Sequence, residues 1–134
     1  MPEPKNLLEW AYHWEKQIPD RVWLTQPLGG SADRVKTYTI GEVMDRARRM
    51  AGHLKQRGFP EKSQIGICSK NCAHWIIADL AIWMAGHVSV PVFPTLAVDT
   101  FRHIVEHSEI RLLFVGKLDP IWDEMNMKRG EKVR

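Results

Sequence analysis

Apolar side chains recur every three or four residues in four stretches of the chain, and alternate or cluster in five shorter ones. In the first helical stretch Leu7, Leu8, Ala11, Trp14 and Ile18 share a face. Asn6 stands before them with Glu9 three residues on, the pattern of a capping box in which each side chain satisfies a free backbone N–H, and Pro19 stops the helix. Val22 to Gln26 alternates like a half-exposed strand, Pro27 to Asp33 with Gly29-Gly30 is a turn, and Val35 to Tyr38 returns. This spacing predicts a β-hairpin.

Thr39 and Glu42 repeat the capping pattern ahead of the clearest helix. Ile40, Val43, Met44, Ala47, Met50, Ala51 and Leu54 line one face, Arg46, Arg49, His53 and Arg57 another, and Gly58 closes it. Gln64 to Ser69 is a short apolar strand. Asn71 is the expected cap of a helix running to Gly86 that is apolar nearly all round, as a helix held between layers must be. Val88 to Phe93 is a strand carrying Pro91, with Pro94 just beyond, and proline cannot continue a central ladder. A helix from Val98 to Ser108 and a strand from Leu112 to Val115 follow. Ile121, Trp122 and Met125 mark a last amphipathic turn, and the charged tail Lys128 to Arg134 is expected to be disordered. The expected organisation is one unit over residues 1–127 and a tail over 128–134.

From residue 39 onward the order is α-β-α-β-α-β, which right-handed crossovers between parallel strands accommodate most economically. The fold class is therefore α/β: an N-terminal helix and antiparallel β-hairpin, followed by alternating α/β with a parallel sheet. Ligands of such open sheets sit beyond the carboxyl ends of the strands. Here those ends are Cys68 to Asn71, Phe93 to Leu96 and Gly116 to Asp119.

Composition narrows the function classes. With 134 residues the chain fits one domain but is short for a multi-step enzyme. Lys and Arg number 19 against 16 Asp and Glu, a surplus of three, far from the dense basic field of a nucleic-acid binder. Two cysteines make no disulfide framework, and Met1 to Lys5 leads into no apolar signal segment, so a cytoplasmic location is expected. The most hydrophobic stretch, Trp75 to Ala85, is shorter than the roughly 20 residues that span a bilayer, and it contains Asp79. The expected protein does not span a membrane.

Several clusters could carry chemistry, and each has a plainer explanation. His103, Glu106 and His107 match the H-x-x-E-H metal pattern, in which two His four apart can grip one zinc ion. The plainer account puts them on the wet side of a helix whose core face is Val98, Phe101, Ile104 and Val105, with Arg102 and Glu106 as an i,i+4 ion pair. A third ligand would have to come from Asp119, Asp123 or Glu124. Cys68, Cys72 and His74 offer soft ligands, but buried structural cysteines are commoner. Arg46, Arg48, Arg49, Lys55 and Arg57 could meet phosphates, yet they read as the solvated side of an ordinary helix. Asp79, inside an apolar helix, must be paired, neutralised or functional. No G-x-x-x-x-G-K-[ST], G-x-G-x-x-G or G-x-S-x-G motif is present.

An ordered succession of short segments is more specific than any of these. Thr37-Tyr38-Thr39 with Glu42-Val43 precedes an Arg-Met-Ala-Gly-His-Leu helix; Ile65 to Asn71, Trp75, Asp79-Leu80-Ala81 and Gly86 follow. Then come Val90-Pro91-Val92-Phe93-Pro94-Thr95, His107-Ser108-Glu109 and Phe114 to Asp119. This succession, from about Trp10 to Met125, resembles the start of the AMP-binding, adenylate-forming enzymes, specifically the bacterial long-chain acyl-CoA synthetase branch. The resemblance implies an incomplete part of the large adenylate-forming N-terminal domain. It implies a parent enzyme that uses Mg²⁺ and ATP to turn a fatty acid into an acyl-adenylate, then passes the acyl group to coenzyme A. It also implies that the phosphate loop ending in Pro-Lys-Gly, the adenine motif, the ribose-binding Asp and the catalytic lysine lie in later segments. The chain alone is then expected to be inactive, to need no cofactor of its own, and to have the remainder of the synthetase as its partner, with peripheral membrane association a property of the intact enzyme. The loop Phe93, Pro94 and Thr95 corresponds to the rim of the coenzyme A entry in some relatives, where Phe93 replaces a more usual Tyr. The isolated chain is further expected to expose apolar surface and strand edges. Two alternatives stand beside this: a stand-alone α/β binding or assembly module, and a small zinc protein using His103, Glu106 and His107.

Overall fold

The computed structural model describes residues 3–116, so the expected amphipathic turn and charged tail lie outside the described residues. The element order is helix α1 (Leu7–Gln17), strands β1 (Val22–Pro27) and β2 (Val35–Thr39), helix α2 (Ile40–Gln56), strand β3 (Gln64–Cys68), helix α3 (Ala73–Met84), strand β4 (Val88–Val92), helix α4 (Val98–His107) and strand β5 (Leu112–Val115). β1 and β2 form the antiparallel hairpin, with a bulge at Trp23 where the register slips between Val22 and Leu24. β3 pairs in parallel with β4 on one side and β5 on the other, giving the order β4-β3-β5. Pro91 opposes Ile67 on β4, an edge strand, where a missing N–H is tolerated.

Alternation along β3 assigns the two faces of this sheet. Ile65 and Ile67 pack with Leu54 of α2 and with Ala78 and Ile82 of α3. Cys68 packs on the opposite side with Val92 and with Phe101 and Val105 of α4. Gly66 points the same way as Cys68, and a Cβ there would stand 2.7 Å from Leu113 Cδ1. The far side of α2 and α3 is covered by α1 and the hairpin through Ala11, Tyr38, Ile40, Val43, Met44, Ala47, Ile77 and Ala81. The layers are therefore α1 with the hairpin, α2 with α3, the parallel sheet, and α4.

The helix ends show which local signals operate. Asn6 Oδ1 accepts from the Glu9 N–H at 2.9 Å, while Glu9 Oε2 reaches back to the N–H of Lys5 at 2.6 Å. Thr39 Oγ1 likewise accepts from the Glu42 N–H at 3.1 Å. Gly58 takes φ +69° just beyond α2, as a left-handed stop requires. The expected cap at Asn71 is not used. Cys72 occupies the N-cap position with no side-chain cap bond, and the Ala73 N–H donates instead to Gln26 Oε1 at 2.7 Å. A side chain from the hairpin thus does what a local cap usually does, and it ties β1 to the start of α3.

α1 also departs from expectation. Of its predicted core positions Ala11 is buried, but Leu7 is 71% exposed and Trp14 44% exposed. They face an open groove described below. Removing the remote cap should be costly: Gln26→Leu is expected to lower stability by about 1 kcal/mol, the usual cost of losing an N-cap acceptor. Urea unfolding followed by circular dichroism checks this, and an unchanged midpoint would show that the Ala73 N–H does not depend on Gln26.

Candidate functional site

The carboxyl ends of β3 and β5 approach closely. The Gly116 N–H donates to the Cys68 carbonyl at 3.0 Å, and a Cβ on Gly116 would lie 2.5 Å from Ser69 Oγ. Ser69 Oγ donates to the Lys70 carbonyl at 2.8 Å and lies 3.7 Å from Cys72 Sγ. A cleft of about 270 Å³ opens there between the end of the hairpin and the start of α3, lined by residues including Gln26, Cys72, His74 and Gly116. Burial pushes the Cys68 thiol up to about 11, so it stays protonated and unreactive at neutral pH.

Phe93, Pro94 and Thr95 follow β4 on the other side of β3 from β5. The Leu96 N–H turns back to the Phe93 carbonyl at 3.4 Å, and Phe93 projects outward, 68% exposed. These three residues line neither that cleft nor the groove on the far side of the molecule.

On α4, Phe101 and Val105 are buried while Asp99, His103, Glu106 and His107 are exposed, as the helical pattern requires. The His103 and His107 rings stack with centroids 5.4 Å apart. Among the described residues no three His, Cys, Asp or Glu side chains are placed to hold one metal ion, which covers Cys68, Cys72 and His74 as well. Asp119, Asp123 and Glu124, the suppliers considered for a third ligand beside His103 and His107, lie outside the described residues. The expected Arg102–Glu106 ion pair does not form; the pairs among the described residues are Arg48–Glu15 and Arg49–Asp45. An exposed helical pair of this kind gains only a few tenths of a kcal/mol, too little to hold two long side chains in place.

The basic face of α2 is partly engaged in structure. Arg48 donates to both carboxylate oxygens of Glu15, at 2.8 and 3.3 Å, clasping α1 to α2. The Arg46 guanidinium lies 5.4 Å from the centre of the Tyr38 ring, with Lys36 at 5.2 Å.

No local pattern names a partner for Asp79. It sits on α3 at the wall of a groove of about 540 Å³ formed by α1, β1 and α3, which Trp10, Trp14, Trp23 and Trp83 also line. Burial raises the Asp79 carboxyl above its ordinary value, and the Ser89 hydroxyl on β4 pulls it partly back. Ser89 Oγ is itself buried, with no hydrogen-bond partner of good geometry. Helical spacing puts Trp14 on the core face of α1 and does not single out Trp10, Arg21 or Trp23. The usable signal was that Leu7, Trp10 and Trp14 continue the apolar stripe of α1 beyond the width one neighbour can cover.

A carboxyl whose pKa is raised on folding binds its proton more tightly in the folded chain. Its contribution is therefore best at low pH and is lost as pH rises through the raised value. Asp79→Asn, which cannot ionise, is expected to gain stability relative to the parent chain as pH rises from about 4 to 7. Melting temperatures of both chains across that range test it; parallel curves would contradict the burial of Asp79.

The model of the family described as AMP-binding enzyme matches residues 11–133. Long chain acyl-CoA synthetase 2 of Arabidopsis thaliana is 35% identical over 111 residues, 79% of this chain and 16% of that protein. Long chain acyl-CoA synthetase 1 of the same plant is 30% identical over 121 residues, 86% of this chain and again 16% of the relative. The chain thus spans about a sixth of the length of these two curated relatives. The crystal structure of IdnL1 superposes with a TM-score of 0.74 at 20% identity, over 86% of this chain and 23% of that one. A fatty acid AMP ligase from Legionella pneumophila gives 0.72 at 19% identity, over 81% and 19%. The described fold is part of theirs, and the chain belongs to the AMP-binding enzyme family.

Proposed function

We propose that this chain is the N-terminal portion of an ATP-dependent acyl-CoA synthetase for long-chain fatty acids, and that it supplies scaffold and not catalytic groups. The observation that carries the reading is the family match over residues 11–133 together with the identity to long chain acyl-CoA synthetases. In the intact enzyme a fatty-acid carboxylate would attack the α-phosphorus of ATP and release pyrophosphate. The thiol of coenzyme A would then attack the acyl carbon and release AMP. Mg²⁺ and a lysine would neutralise the phosphates during the first step.

The charge on a triphosphate requires several preorganised donors, from a glycine-rich loop, a helix start or a cluster of cations. The chain has no phosphate-loop motif, and Gly29-Gly30-Ser31 lies in the hairpin turn between β1 and β2. Its basic residues on α2 are spread along an exposed face, with Arg48 and Arg49 held by carboxylates. We infer instead that these residues form part of the domain's scaffold, and that Phe93, Pro94 and Thr95 would contribute to the rim of the coenzyme A entry in the intact enzyme. Among the described residues no helix is long and apolar enough to cross a membrane. A cytoplasmic enzyme that meets the membrane only peripherally is the setting we infer.

The purified chain is expected to give no palmitate-dependent exchange of pyrophosphate into ATP in the presence of Mg²⁺. Exchange above a no-protein control, lost on heating, would show that the 134 residues carry catalytic groups of their own and would overturn the scaffold reading.

A further inference from the structure

The synthetase reading leaves His103 and His107 without a purpose. They stand one turn apart on α4, both exposed, with ring centroids 5.4 Å apart and planes only 12° from parallel. Neither makes a hydrogen bond or an ion pair with a described residue. Phe101 and Val105, buried on the opposite side of the helix against Cys68 and Val92, fix the rotation of α4 and hold both imidazoles toward solvent. Among the chain's six histidines no other two lie within a turn of each other in sequence. The spacing matters because residues i and i+4 share one helix face, so both rings can turn a nitrogen lone pair toward a single point.

Charge favours a cation at that point. Between Val98 and Glu109 the chain carries Asp99, Glu106 and Glu109 against Arg102 alone, although the whole chain has a surplus of three positive charges. His107 ends α4, where the partial negative charge of the last carbonyls adds attraction. The helix also has little local support of its own. Ala97 at its N-cap gives no side-chain bond, and among the described residues no ion pair bridges its turns. Neutral imidazole selects first-row ions such as Ni²⁺, Cu²⁺ and Zn²⁺ over Mg²⁺ and Ca²⁺, which prefer oxygen. Two nitrogens do not make the closed four-ligand cage of a structural zinc site, so water would complete the coordination sphere.

We propose that His103 and His107 form a two-histidine chelate for a first-row divalent cation of that class, which fastens the last turn of α4. The site differs from a three-ligand zinc centre in needing neither Glu106 nor a donor from outside the helix. It does not depend on the synthetase reading, and it gives the exposed side of α4 a function that the scaffold role does not require.

The test titrates the full chain, carrying no purification tag, with NiCl2 at neutral pH. Calorimetry reports affinity and stoichiometry, and paramagnetic broadening by Ni²⁺ reports which imidazole protons lie beside the ion. The expected result is one ion per chain, with His103 and His107 broadened first. The melting temperature should rise with NiCl2 and not with MgCl2, because an ion that binds only the folded chain stabilises it. His103→Ala and His107→Ala should each lower the affinity about tenfold or more, since the second imidazole binds as an intramolecular step. His53→Ala, on the exposed face of α2, should leave it unchanged. In urea that unfolds the chain the affinity should fall to that of the single variants, because the helix is what aligns the two rings. Absence of binding, or binding that survives both variants, would overturn the proposal. So would broadening centred on His74, or affinity undiminished in urea, since the donors would then lie elsewhere or need no helix.

Discussion

The fold depends on one constraint: α3 has almost no polar side to give to water. Ala73, Ile77, Leu80 and Ala81 belong to the cluster shared with α1, α2 and the hairpin, while Ala78 and Ile82 belong to the one shared with the sheet. Such a helix is stable only when covered on all sides, and each burial of an aliphatic side chain contributes about 1.5–3 kcal/mol relative to exposure. α2 covers one side through Met44, Ala47 and Ala51, β3 a second through Ile65 and Ile67, and α1 with the hairpin a third. What is left is the strip carrying Ile76, Asp79 and Trp83, and this strip is the floor of the tryptophan-lined groove.

Much of this was legible in the sequence because it is written in local periods. The short apolar run Gln64 to Ser69, the seven-residue stripe of α2 and the Thr39–Glu42 start all act within a few residues, and the structure has a strand over Gln64–Cys68 and the helix start where the pattern puts them. The parallel order followed from the alternation of elements, and it holds in β4-β3-β5. Contacts between distant segments were not legible. Gln26 caps α3 from 47 residues away, which no pattern around Asn71 could reveal. The Glu15–Arg48 clasp joins two helices whose charges read separately as ordinary solvated faces.

The candidate site was legible in a different way. A location at the carboxyl ends of the strands is what sheet topology suggests, whereas the role proposed for Phe93, Pro94 and Thr95 rests on the family resemblance alone. Their geometry, an exposed turn after an edge strand, is what any proline-stiffened loop would show. The groove is not legible in the sequence because hydrophobic spacing tells which face of α1 is apolar and not whether a neighbour exists to cover it. Leu7 and Trp14 obey the pattern and are nevertheless exposed.

The central claim is that α3 is the organiser of this chain and α1 its least supported layer. Native-state hydrogen exchange of the chain by itself tests that most directly. The account predicts that the amides of Ile77 to Ile82 exchange only through global unfolding, while those of α1 exchange much faster through local opening. Equal protection of α1 and α3 would contradict it.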